Sequence, residues 1–498
     1  MKLSYLALIC ASALALTACK SESPQSRATT TTPTPTAAIS FPCLNPPSVS
    51  YATPGDTPIT SQDGVNCFAW QTFIGLNWQV AAGKPGEPDT TISAAQFGQP
   101  GSKQTTVWET YANSRAVFRP NAATPLPWGQ QAELPASCQL PAGYQARVMH
   151  ANRISRGINL SSDASQAFPS TNPNWLADKQ GNLVYYEILM GRDQYDYIVK
   201  NNLYDADQQA QHILQKLNIA SPLGHDKVQG GLEIKAAWLS VSDPANPKWK
   251  RYKVTQAVVY DPDSGVCKTQ TMALVGLHII HKTASQPQWI WATFEHQDNV
   301  PDTAAIRSNG LVDGDYTFYA NECSIRKVPA ACKPKLVNKA PVTETSCQSN
   351  VSPAYYLSQD QQCQPYPIRV SRDFAIRDTT DNHVASLNRA VQQMIRQANP
   401  DSVFANYVLV NVLWSSAAVN DNEPPGKPPL TPLSISGETP SRSALPVANT
   451  MLESYAQGFN CLSCHAYASV APAAKKQLNN QSYATDYSFL FGMASTKK

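Results

Sequence analysis

The chain has 498 residues, 42% of them hydrophobic and 15% charged, with a formal net charge of +3. That length implies two or three structural units rather than a small carrier alone, and the hydrophobic fraction excludes a disordered chain. Lys and Arg are scattered among Asp and Glu, with no basic run long enough for a nucleic-acid groove.

Lys2 gives a positive start, and residues 3–16 form an apolar run that is shorter than the roughly 20 residues a bilayer span needs. Small residues before a cut complete a signal peptide over residues 1–18. Leu16-Thr17-Ala18-Cys19 resembles the lipobox of bacterial lipoproteins. That resemblance implies lipid on Cys19, an anchor rather than a membrane span, and a place in the bacterial cell envelope facing the periplasm or the surface. Residues 19–42 are a Thr/Pro-rich tether with no buried face.

Residues 43–423 read as a β-rich extracytoplasmic body. Cys67 to Trp78 place apolar groups at helical spacing and predict a buried helix after an Asn66 cap. Residues 232–296 hold β-branched and aromatic runs divided by turn clusters such as Ser242-Asp243-Pro244, which predicts an antiparallel meander. Residues 384–398 predict an amphipathic helix with Leu387, Val391, Met394 and Ile395 on one face, and residues 404–414 another strand. Glu187, Asp193 and Asp196 lie in a Tyr-rich stretch that reads as a solvated, half-buried face. Prolines at 424, 425, 428, 429, 432, 440 and 446 interrupt regular structure and mark a linker over 424–446.

The last unit is 447–498. Thr450 and Glu453 have capping-box spacing, which predicts a helix start. Cys461-Leu462-Ser463-Cys464-His465 follows. Cys-x-x-Cys-His is the spacing of c-type haem attachment: two thiols bond the porphyrin edge and the next imidazole meets the iron. The expected cofactor is therefore one covalent haem c, with Cys461, Cys464 and His465 binding it and His465 as the metal ligand. A redox dithiol would normally open a helix after a strand in a thioredoxin-like unit. A zinc site would need more ligands, and no Cys or His follows His465. Met493 and His296 are candidates for the sixth iron position, which is otherwise open; Met451, His150, His278, His281 and His383 are further histidines and methionines upstream. His278 and His281, three apart on a strand, fall on opposite faces.

The 12 cysteines support export. Cys10 leaves with the signal, Cys19 takes lipid, and Cys461 and Cys464 take haem. Cys43, Cys67, Cys138, Cys267, Cys323, Cys332, Cys347 and Cys363 remain as an even disulfide framework whose pairing stays open.

Together the haem motif, the lipobox and the long β-rich body resemble the bacterial lipoproteins of the cytochrome c family, with the specific likeness confined to residues 461–465. Trp289-Ile290-Trp291-Ala292-Thr293-Phe294-Glu295-His296 is also similar to such proteins, with no role attached. The expected fold is α+β, a mostly antiparallel β body with a short helical haem segment packed against it. The resemblance implies electron transfer with a redox partner protein. The alternatives are a haem enzyme with an open iron site (a peroxidase or oxygenase), or a β-rich ligand-binding module with a haem sensor or relay.

Overall fold

The computed structural model describes residues 39–58, 61–101, 104–130, 138, 147–150, 175–226, 228–261, 265–328, 336–337, 340–341, 343–351, 355–357, 363–365, 368–415 and 447–498. The expected signal segment, Cys19, most of the tether and the linker at 424–446 lie outside these residues. Among the described residues no helix is long and apolar enough to cross a membrane.

In chain order come α1 (Gln62–Leu76), β1 (Ala112–Asn113), α2 (Ser114–Val117), β2 (Val148–His150), β3 (Val184–Met190), α3 (Arg192–Lys200), α4 (Ala206–Leu214), β4 (Leu232–Val241), β5 (Val254–Asp261), β6 (Val266–His281) and β7 (Ile290–His296). Then follow β8 (Leu336–Val337), β9 (Ala340–Pro341), β10 (Tyr355–Leu357), β11 (Cys363–Pro365), α5 (Val384–Ala398), β12 (Tyr407–Leu413), α6 (Cys461–His465) and α7 (Pro472–Gln477). The fold is mixed α+β around one curled sheet. Its order is β1-β3-β4-β6-β5-β2, with β7 pairing β6 and β12 pairing β7. The pairs are antiparallel except β2 with β5.

Residues 232–296 thus form antiparallel strands, but not a plain meander: β4 lies beside β6 rather than β5. The cause is the length of β6, which runs 16 residues. One edge of β6 gives Val266–Ala273 to β5 and Gly276–His281 to β7, while the other pairs β4 from Thr271 to His281.

α1 and α5 cover one face of the sheet, where Trp70, Phe73, Leu387, Val391 and Ile395 bury against Leu277, Ile279, Ala292 and Phe294. Phe73 stacks on Phe294 with ring centres 4.4 Å apart. Each such side chain contributes about 1.5–3 kcal/mol by leaving water. α1 starts earlier than Asn66: the Ser61 hydroxyl accepts the Gly64 N–H at 3.1 Å and caps the helix. Asn66 lies inside, donating to Asn382 Oδ1 at 2.8 Å. Its polarity serves a buried tie from α1 to the chain just before α5 rather than a helix end.

Three cysteine pairs form disulfides, Cys43–Cys67, Cys138–Cys267 and Cys323–Cys347. Cys332 lies outside the described residues.

The opposite face of the sheet meets residues 447–498. A Cβ on Gly276 would lie 2.9 Å from Asn449 Oδ1 and 3.0 Å from Met451 Cβ, so the returning chain touches the β6 backbone at a position only glycine leaves room for. Met451 and Leu452 bury with Tyr186, Ala237 and Val275; Leu462 buries with Ile280, Trp289 and Trp291. Leu478, Leu490 and Phe491 join Ile198, Ala206 and Ala210.

Candidate functional site

The Cys461–His465 motif forms the one-turn helix α6. Turns precede it, where a helix is expected from Thr450. The reciprocal cap is shifted by one residue. Asn449 Oδ1 accepts the Met451 N–H at 2.9 Å, and the Glu453 carboxylate accepts the Asn449 N–H at 2.8 Å. The Thr450 hydroxyl instead donates to buried Glu295 at 2.5 Å. A pull from across the sheet outcompetes the local helix signal.

His465 Nδ1 is 2.8 Å from the Tyr487 carbonyl oxygen. A carbonyl only accepts, so Nδ1 carries the proton and the lone pair sits on Nε2. Burial lowers the pKa of His465 to about 4, so the ring is neutral at pH 7. Its ring centre lies 4.5 Å from that of Trp291 and 4.9 Å from that of Phe489. Neither Cys461 nor Cys464 is in a disulfide, and burial pushes the Cys461 thiol upward. Two thiols that can bond a porphyrin edge, next to a neutral imidazole whose lone pair is on Nε2, are groups that fit haem c. Among the described residues no group of three or more His, Cys, Asp or Glu side chains is placed to hold a bare metal ion.

The Tyr487 carbonyl comes from a tight turn closed by the Ser488 N–H on the Thr485 carbonyl at 2.9 Å. Asp486 and Tyr487 at its centre have φ of 55° and 62°. Positive φ at both central positions matches a type I′ turn. Asp tolerates the left-handed region, but for Tyr it costs about 1–2 kcal/mol.

Alternation along β7 decides which upstream histidine faces the motif. Trp291, Thr293 and Glu295 point toward residues 447–498, as the Asn449 amide on Thr293 and the Thr450 hydroxyl on Glu295 attest. Ile290, Ala292 and Phe294 point into the α1 side. His296 shares their parity. It stacks on Tyr252 at 3.6 Å, places Nε2 3.1 Å from the Arg251 carbonyl and accepts the Asp298 N–H on Nδ1. Both ring nitrogens are engaged, and burial pushes the ring down to about 3. In this structure His296 is a structural hydrogen-bonder, not a group aimed at the motif.

His278 is the histidine on the motif side. It pairs with Thr293 across β6 and β7 and places Nδ1 2.9 Å from the Thr293 hydroxyl and Nε2 2.9 Å from the Glu453 carboxylate. Burial opposes ionisation of Glu453, but His278, Lys235 and the Asn449 amide outweigh it and hold its carboxyl below the usual range. His278, Lys235 and Glu453 all act electrostatically on His465. His281 points the other way and stacks on Phe68, as its odd spacing from His278 requires. Met451 is fully buried in the core, Met493 is 40% exposed at the end of the short helix that carries Phe489, and His383 pairs with Asp63 at the start of α5.

Glu187 departs from the expected solvated face. It is buried, takes the Arg147 guanidinium at 3.0 Å and the Trp238 indole N–H at 2.7 Å, and shares Arg147 with Glu109. Asp196 does lie at the surface, paired with Arg192. Asp193 accepts the Gly230 N–H at 2.8 Å.

Sequence reasoning missed two features here. The Tyr487 carbonyl is backbone and carries no residue signature. The sequence pattern places Glu453 in a helix cap, and only the sheet register brings it to His278. No protein-family model, curated protein or solved structure matches the chain.

Proposed function

We propose that this chain is an exported c-type cytochrome of the bacterial cell envelope, lipid-anchored at Cys19, which binds one haem c through Cys461, Cys464 and His465 and transfers single electrons to and from a redox partner protein. On this reading it resembles the lipoproteins of the cytochrome c family, with 447–498 as a haem segment lying on the β body. The observation that carries the reading is the hydrogen bond from His465 Nδ1–H to the Tyr487 carbonyl. Metal-ligating histidines are typically held in this way, with the second nitrogen donating to a carbonyl or carboxylate so that the first is fixed toward the metal.

When bound, haem c supplies a one-electron couple. The chain's own residues do the rest. Tyr487 fixes the tautomer and angle of His465. Trp291 and Leu462 form an apolar wall that keeps water from the ligand. Phe459, Tyr467 and Phe489 are exposed beside the motif and give an approaching partner an apolar contact. The test is full-length Cys461→Ala/Cys464→Ala, co-expressed with cytochrome c maturation machinery. Haem stain on the chain after denaturing electrophoresis is expected to be lost, and His465→Ala to lower the yield. Stain that survives the double substitution overturns the proposal.

The His278–Glu453 pair favours a second reading, a haem enzyme with an open iron position, because a histidine backed by a carboxylate can move a proton at a bound ligand. Carbon monoxide separates the two. A carrier with both axial positions filled leaves the visible spectrum of reduced protein unchanged at neutral pH; rapid binding favours the enzyme.

A further inference from the structure

Lys282 closes β6 as a fully buried ammonium, and nothing in the attachment chemistry requires it. We propose that the Lys282–Asp486 ion pair positions His465: it holds the turn whose Tyr487 carbonyl fixes the imidazole, and so sets the donor strength of the iron's axial ligand. This rests on the haem reading above.

Lys282 Nζ lies 2.7 Å from Asp486 Oδ2, with the two side chains 0% and 5% exposed. The same carboxylate oxygen accepts the Ser221 N–H at 2.7 Å. The Asp486 carbonyl accepts the Trp289 indole N–H at 2.9 Å. Asp486 is therefore gripped through its side chain and its backbone, by groups from the end of β6, the 221 loop and the β6–β7 connection. Trp289 is itself held. It has φ of 69°, and its ring lies where a Cβ on Gly231 would come within 2.7 Å.

The grip acts one residue before the carbonyl that matters. Tyr487 has left-handed backbone at φ 62°, which a bulky side chain does not adopt unaided. Released from Asp486, the turn relaxes and the Tyr487 carbonyl moves off the His465 Nδ1–H. An apolar pair would fill the same space at less desolvation cost, so a buried ion pair here is better suited to fixing geometry than to adding stability. Loss of the Nδ1–H bond makes His465 a weaker donor, which disfavours the ferric state and raises the midpoint potential.

The experiment uses the full-length, haem-loaded protein as wild type, Asp486→Asn, and the neutral pair Lys282→Met/Asp486→Asn, which strands no charge. Readouts are covalent haem on denaturing gels, thermal melting, midpoint potential, and the exchange rate of the His465 Nδ1–H proton by nuclear magnetic resonance. The expected result is retained haem and a retained cooperative melt, with a raised potential and faster Nδ1–H exchange in both variants. Variants that fold and carry haem at unchanged potential and exchange overturn the positioning role. A neutral-pair variant that does not fold assigns the pair to folding alone and also overturns it. Wild type without covalent haem instead defeats the underlying haem reading, which the gel alone decides.

Discussion

β4 and β6 pair along all ten residues of β4, and β6 also pairs two more strands on its far edge. In residues 447–498, by contrast, α6 has five residues and α7 six, with turns between. Isolated helices shorter than about 12 residues are marginal in water. The segment's order therefore comes from the body: Asn449 on Thr293, Thr450 on Glu295, Glu453 on His278 and Asp486 on Lys282. The body is stabilised by repetition of one pairing rule, the segment by a few specific polar ties. Repetition tolerates the loss of one contact; specific ties hold a side chain at an angle and fail singly.

The largest effect expected from this contrast is loss of the segment's fold when the body is removed. Its apolar side chains are shared among three clusters, each completed by body residues. Residues 447–498 expressed alone with the maturation machinery are expected to be digested rapidly by protease. A protease-resistant product with the visible spectrum of the full chain would show that the segment needs no body.

Next in size is the tie at Glu295. This carboxylate is 0% exposed and accepts from Arg372 and from both the N–H and the hydroxyl of Thr450. Glu295→Gln leaves Arg372 with only Asp302, a half-exposed partner. Breaking a buried pair costs about 3–5 kcal/mol, and the surviving Asp302 contact puts this variant near ~3 kcal/mol. Urea unfolding measures it; a change under ~1 kcal/mol would mean the tie adds nothing to the body's own pairing.

The same contrast explains what the sequence made legible. α5 was readable to the residue, Val384–Ala398, because a helix that buries Leu387, Val391 and Ile395 on one face writes its period locally. The strands at 232–296 were readable as strands, yet their order was not, because pairing β6 with β4 across an intervening β5 is a long-range choice. The disulfide pairs were unreadable for the same reason. At the site, Cys461, Cys464 and His465 stand in one pentapeptide. Glu187 was misread because its partner, Arg147, is 40 residues away in sequence. Arg147 and Trp238, not solvent, surround its carboxylate. His278 and His296 look alike in sequence, and only their places along paired strands separate the one bonded to Glu453 from the one stacked on Tyr252.

The effect confined to one pH window lies at the seam between the two regions. Glu233 stands on β4, takes the Gln194 amide N–H at 2.5 Å, and is hydrogen-bonded by Ser488 of the segment. Burial, only partly offset by those two bonds, pushes its carboxyl up to about 7. The unfolded chain releases this proton near ~4.3. Between those values the folded protein holds a proton that the unfolded chain has lost, so stability falls as pH rises through the window and levels off above 7. The shift is worth about 3–4 kcal/mol. Glu233→Gln keeps the shape without the charge, and Gln194 Oε1, which has no hydrogen-bond partner, offers the new amide an acceptor. The variant is expected to match wild type near pH 4.5 and to exceed it by about 3 kcal/mol at pH 8, measured as urea midpoints at pH 4.5, 6 and 8. Other groups titrate in both proteins and cancel in the difference. Parallel pH curves would mean that Glu233 ionises freely, and that the seam admits water where the segment meets β4.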